Sequence, residues 1–272
     1  MNERLHGLDP RKLFDIGKSY AEKAARNSQN GITVYEKGTI RPFEGYDAEN
    51  VRGLYNYVLL LDENSQTSIL ERIIDPVQTI AESNGIQGIF AGSADLPPHI
   101  TLQTGNFRGV SPEEQQRMEE DLSSPMSHLR LISRIMTGHT AHLNNIVLAG
   151  SSFYADSQGF MHENARLFRA RQLIKWAYTG ERNAGSVDYS QQESSEPQSG
   201  LNPVNYDDIT HVSIGRITDT ASSSQLMGFM NQVYAEVLPQ LQSSPVEVKV
   251  SGVYQGSAHQ FFQENRPNLI KK

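Results

Sequence analysis

A four-residue pattern occurs twice in this chain, as His99-Ile100-Thr101-Leu102 and as His211-Val212-Ser213-Ile214. Each copy reads histidine, apolar, hydroxyl, apolar. The period is two, so both copies are predicted to be strands, with imidazole and hydroxyl on one face and the apolar pair anchoring the strand from behind. Either copy alone is unremarkable as a strand residue pair. Two chance copies among the eight histidines would be an event on the order of 1%.

Around the tetrads, strand and helix patterns alternate. The run LYNYVLLLD, residues 54–62, is apolar and short enough for a buried strand. Ile69, Leu70, Ile73, Ile74, Val77 and Ile80 then recur at helical spacing, with Ser68 and Glu71 as a capping box and Pro76 expected to kink or shift the first turn. IQGIFAG and PPHITLQTG read as strands, residues 112–122 as an acidic helix with a solvated face, and both HLRLIS and LNNIVLAGSSFYA as strand-like. The order then recurs. Residues 164–178 carry a helical stripe of Ala170, Leu173, Ile174, Ala177 and Tyr178. THVSIGRIT is a strand, Leu226, Phe229, Met230, Val233, Val237 and Leu241 mark a helix, and PVEVKVSGVYQ alternates strictly as a strand. Two similar passes imply an α+β or α/β chain made of two lobes that each contribute a sheet.

Two seams divide the chain. Residues 1–50 read as an N-terminal helix (11–26) followed by a wrapping extension punctuated by Gly31, Gly38, Pro42 and Gly45. Residues 51–272 form the bilobal part, interrupted at 179–208 by a stretch rich in Ser, Gln, Gly and Asn with almost nothing to bury, expected to be a mobile insertion.

Composition removes several function classes. Of 272 residues none is cysteine, so disulfides, a thiol nucleophile and cysteine-ligated metals are excluded. The longest apolar run, Tyr57 to Leu61, is far too short for a membrane-spanning helix, and the opening MNERLHGLDPRKLF lacks the apolar core of a secretory signal. A cytoplasmic location is expected. With 24 Lys and Arg against 31 Asp and Glu, the net charge of −7 argues against a long duplex nucleic acid but leaves room for a small phosphorylated ligand held by local donors. No membrane or protein partner is indicated.

The paired tetrads suit phosphodiester cleavage. If the lobes face each other, one neutral imidazole takes a proton from the attacking oxygen while the other, protonated, gives one to the leaving oxygen. Thr101 and Ser213 would hold the non-bridging oxygens, since a hydroxyl donates to phosphate without adding charge. No metal or other cofactor is required. Gln103 should share the face of Thr101, Arg216 points away from His211 unless Gly215 admits a bulge, and Tyr254 ends the last strand where it could stack on a base or donate to phosphate. His139 and His142 have the three-residue spacing of a helical metal pair, but their surroundings are not helical and offer no nearby carboxylate in sequence. His128, His162 and His259 read as surface or locally bonded residues, and residues 149–152 as a turn.

The segments PPHITLQ and THVSIGR resemble the paired motifs of the two-histidine phosphoesterase superfamily, which includes RNA-ligase-like proteins, cyclic phosphodiesterases and 2′,5′-oligonucleotide phosphodiesterases. The likeness runs in element order over residues 54–255, with specificity in the tetrads; GTIRPFEG at 38–45 also resembles the opening of an uncharacterised bacterial branch. The resemblance implies two pseudo-symmetric α/β lobes, each with a mainly antiparallel sheet, around a central cleft. It also implies catalytic roles for His99, Thr101, His211 and Ser213, leaving open which histidine is base. The expected substrate is a cyclic phosphate of 2′,3′ type or a 2′,5′-phosphodiester in a small nucleotide or RNA end. A nucleotide-binding module without turnover and an RNA end ligase are the alternatives.

Overall fold

A computed structural model describes residues 54–92, 97–106, 128–149, 152–157, 159–179, 200–201, 210–218, 221–257 and 269–270. The N-terminal extension, residues 112–122, where an acidic helix is expected, and nearly all of the 179–208 insertion lie outside them. The fold is α+β, a mixture of helices and antiparallel sheet. Its strands are β1 (Leu54–Leu61), β2 (Gly88–Phe90), β3 (His99–Asn106), β4 (Thr140–Leu143), β5 (Asn145–Ala149), β6 (Ser152–Asp156), β7 (Gly200–Leu201), β8 (His211–Ile217), β9 (Val246–Ser257) and β10 (Leu269–Ile270). The main path runs β10-β9-β1-β3-β8-β6-β5, with β2 beside β8, β7 beside β3 and β4 beside β9. Every pairing is antiparallel.

The sheet has two halves that meet between β3 and β8. One half holds β9, β1 and β3, and the other holds β8, β6, β5 and β2. Neither half is contiguous in sequence: β9, from the C-terminal part, returns to pair β1, while β2, from the early part, pairs β8. The core nevertheless runs unbroken through both. Ile100 and Leu102 of β3, Val212 and Ile214 of β8, Phe153 of β6 and Val253 of β9 belong to one buried cluster.

Among the described residues, two helix groups cover this core. Helix α1 (Glu63–Ile69) starts at Asp62, whose Oδ1 accepts from the Ser65 amide at 2.8 Å, so the start lies six residues before the Ser68 capping box expected from sequence. A π turn, Leu70–Ile74, then leads into α2 (Asp75–Ser83). Pro76 accounts for that wide turn: its ring cannot donate to, and would crowd, the carbonyl four residues back, and the helix accommodates it by re-registering, with the Asp75 amide donating to Leu70. Helices α5 (Ser223–Glu236) and α6 (Leu238–Ser243) complete this side, with Pro239 in the first turn of α6 and a full capping box at Ser222 and Gln225 starting α5.

The other group is α3 (His128–Met136) and α4 (Met161–Thr179), which pack on each other. HLRLIS was expected to be a strand and is the start of α3. Ile132 and Met136 are fully buried one turn apart, with Leu131 and Ile135 packed beside them, so the apolar spacing continues past the short window that suggested a strand.

Candidate functional site

The two tetrads lie on neighbouring strands. Ile100 of β3 bridges Val212 of β8. One residue either side, antiparallel geometry sets His99 opposite Ser213 and Thr101 opposite His211, a two-by-two array in which each imidazole faces the other motif's hydroxyl. Ile100, Leu102, Val212 and Ile214 enter the core, as the alternation predicts. The histidines occupy diagonal positions, for which backbone separations are about 7–8 Å. They therefore stand side by side on one sheet rather than on two opposed ones.

The next strand, β6, extends the array. Its Asp156 pairs with His211 and its Tyr154 with Ser213. Tyr154 is half-buried and presents its ring to that of His211 at 78°, with centroids 5.1 Å apart. Asp156 is buried. Its charge, after burial itself, helps push the Tyr234 phenol above its ordinary pKa.

His99 enters its strand from two buried prolines, Pro97 and Pro98. Its Nδ1–H donates to the Pro97 carbonyl at 2.7 Å. A carbonyl can only accept, so Nδ1 carries a proton, and in the neutral ring the lone pair is on Nε2.

Arg216 belongs to this face. Between β6 and β8 the register slips, Tyr154 pairing with Ser213 but Phe153 with Gly215, so Ile214 is the extra residue of a bulge. Ile214 and Gly215 are buried, whereas His211, Ser213 and Arg216 are each half-exposed. Gly215 permits the bulge because a Cβ there would stand 2.8 Å from Phe90 Cδ1 and 3.1 Å from the Ile89 carbonyl oxygen. Opposite Arg216 lies Ile89 of β2, the one large apolar side chain exposed among the described residues.

Gln103 stands at a different register. A bulge at Leu102 leaves Thr101 paired with Val58 but Gln103 paired with Tyr57, a core residue, so simple alternation from Thr101 stops there. The Gln103 side chain lies outside the described residues. Tyr254 of β9 pairs with Val58, which pairs with Thr101, placing Tyr254 on the site's face but two strands away. It is fully buried against Val58.

His139 immediately precedes β4 and His142 is its third residue, and in a strand a three-residue spacing sends side chains to opposite faces. His139 is buried and His142 half-exposed. Contrary to the sequence reading, carboxylates do approach His142: Glu163 lies 2.6 Å from Nδ1 and Glu247 3.5 Å from Nε2. Both ring nitrogens are thereby engaged. Among the described residues no group of three His, Asp or Glu is arranged to hold a metal ion. Nor is any described helix long and apolar enough to cross a membrane.

Tyr154 and Asp156 escaped the sequence reading. SFYAD shows their shared face by alternation, but only the pairing of β6 with β8 puts that face beside His211.

No family model matches the chain, and no curated protein matches it. Among solved structures it is similar to that of Kluyveromyces marxianus Usb1, at 13% identity and a TM-score of 0.45, over 81% of this chain and 98% of that one. A likeness at that level bears on neither the family nor the reaction of this protein.

Proposed function

We propose that the protein is a phosphodiesterase of the two-histidine type, cleaving a 2′,3′-cyclic phosphate or a 2′,5′-phosphodiester in a small nucleotide or RNA end. The observation that carries this reading is the Ile100–Val212 bridge, which sets two histidine–hydroxyl pairs in mutual register. A group within hydrogen-bond reach, about 2.6–3.2 Å, of both imidazoles fits between diagonal positions on adjacent strands.

In the proposed reaction water attacks phosphorus and gives its proton to one imidazole. The P–O bond to the ribose oxygen breaks, and the other imidazole protonates that oxygen. Thr101 and Ser213 donate to the non-bridging oxygens, and Arg216 lends charge to the same face. His99 takes the role of base, because the Pro97 carbonyl fixes the Nδ1–H tautomer of the neutral ring, whose lone pair is on Nε2. His211 takes the role of acid, with the buried Asp156 on the neighbouring strand, in register with it, as the nearby carboxylate. Both proton transfers come from side chains, so the reaction as written needs no metal.

The test is hydrolysis of 2′,3′-cyclic nucleotides by the full chain. His99→Ala and His211→Ala should each remove turnover, and EDTA should leave the unmodified protein's rate unchanged. Full activity in either variant, or loss on chelation, overturns the mechanism. Tight nucleotide binding without hydrolysis would point to a binding module, and joining of 2′,3′-cyclic to 5′-hydroxyl ends to a ligase.

A further inference from the structure

Helix α4 carries two buried polar residues that no proton transfer uses. Asn164 is 1% exposed and Arg171 is 2% exposed. They are seven residues apart, two helical turns, and so share a face about 10.5 Å long. The rest of α4's inner surface is apolar, with Leu167, Ala170, Leu173 and Ile174 in the core.

Each of the two reaches the backbone of one motif strand. The Arg171 guanidinium donates from Nη2 to the Thr101 carbonyl at 2.9 Å and from Nε to the Leu102 carbonyl at 3.1 Å. Those carbonyls lie at the bulge where β3 slips against β1. Asn164 accepts the Thr210 amide at 2.8 Å and donates to the Ser157 carbonyl at 2.9 Å. Thr210 immediately precedes His211, and its own carbonyl accepts from the Ser157 amide at 2.9 Å.

The geometry points to α4 as the element that sets the spacing of the site, with Asn164 and Arg171 as positioning residues for His211 and Thr101 respectively. The inference rests on reading β3 and β8 as the strands that carry the reacting groups. Its physical basis is the narrowness of the seam: β3 and β8 are bridged at one described pair, whereas β1 shares seven pairs with β3 and seven with β9. One bridge does not lock two strands in place. A rigid helix fixed to the backbone on each side of that seam does, as long as both attachments hold. A buried guanidinium is a costly way to fill core volume, and an apolar side chain of similar size would serve stability as well or better. The forked donor is instead matched to two successive carbonyls.

The experiment compares Arg171→Lys, Asn164→Asp and the double variant with Leu241→Ala, a core substitution at α6 that lowers stability away from the seam. Arg171→Lys keeps the charge but loses the planar fork, and Asn164→Asp keeps the acceptor but loses the donor. Two readouts are taken on the full chain: amide hydrogen exchange, and kcat and KM for a 2′,3′-cyclic nucleotide. Exchange at residues 99–102 and 210–213 should quicken at least tenfold in each single variant, with Val248 and Val253 of β9 changed less than twofold. The kcat should fall tenfold or more with KM within threefold, and the double variant should lose less than the product of the single losses. Leu241→Ala should show neither the local exchange pattern nor the kcat loss. Exchange that rises evenly over all strands, or stays unchanged at the seam, overturns the inference. If the unmodified protein proves to have no turnover, the functional reading fails on its own, and seam exchange still decides the role of α4. Should Arg171→Lys fail to fold, Asn164→Asp carries the same exchange criterion.

Discussion

Tyr154 holds its ring nearly perpendicular to that of His211, at 78°, with centroids 5.1 Å apart. An edge-to-face pair of this kind contributes about 0.5–1.5 kcal/mol beyond buried area and limits how the imidazole can turn. Tyr154→Ala should therefore lower kcat about 2- to 12-fold, while Tyr154→Phe keeps the ring contact and the rate. Initial rates on a cyclic nucleotide measure this. A Phe variant as slow as the Ala variant would assign the effect to the phenol hydroxyl instead.

The proposed division of roles between the histidines makes a separate prediction. With a nitrophenyl phosphodiester the leaving group departs without a proton, so His211→Ala should recover much of its lost rate while His99→Ala stays inactive. Recovery in His99→Ala instead would reverse the assignment of acid and base. In the unmodified protein the rate should fall on both sides of a pH optimum, because one imidazole must be neutral and the other charged.

Gly215 lies at the bulge that sets the face of Arg216, a proposed binding group. A Cβ would meet Phe90 at 2.8 Å, so Gly215→Ala must displace a core ring or the bulge itself. Overpacking of this kind costs about 1–3 kcal/mol. Thermal unfolding should register that loss, and KM should rise as Arg216 leaves the face of His211. A rise in KM about equal to that of Arg216→Ala would show that the bulge acts through Arg216.

His139 makes the fold acid-sensitive. Burial, then the nearby Arg166, lower its pKa from 6.5 to about 4, so the folded protein binds fewer protons here than the unfolded chain. This contribution is full above pH 6.5 and is lost as the pH falls toward 4. After allowance for solvent screening it amounts to about 2 kcal/mol. Urea midpoints from pH 7 down to pH 4.5 should fall less steeply for His139→Leu than for the unmodified protein. Parallel slopes would exclude His139 as the source.

Much of the site was legible because strand alternation is local. The tetrads alone place His99, Thr101, His211 and Ser213 on polar faces with Ile100, Leu102, Val212 and Ile214 beneath them, and the two strands carry that pattern in the structure. Arg216 was legible only conditionally, since its face depends on a bulge that a glycine permits but does not require. HLRLIS misled because six residues are fewer than two helical turns, too short a window to separate periods of 2 and 3.6 where apolar residues fit both.

By itself, then, the sequence determined that both tetrads are strands, which residues of each tetrad share a face, and that imidazole and hydroxyl are the groups on offer. Those properties follow from backbone geometry over a few residues. Only the tertiary structure decided that β3 lies beside β8, that Ile100 meets Val212 and not a residue one step away, and that Tyr154 and Asp156 flank His211. It also decided that one helix grips both strands through Asn164 and Arg171. Pairing and register link residues more than a hundred positions apart, and they are selected by the packing of the whole core, which no local window of sequence contains.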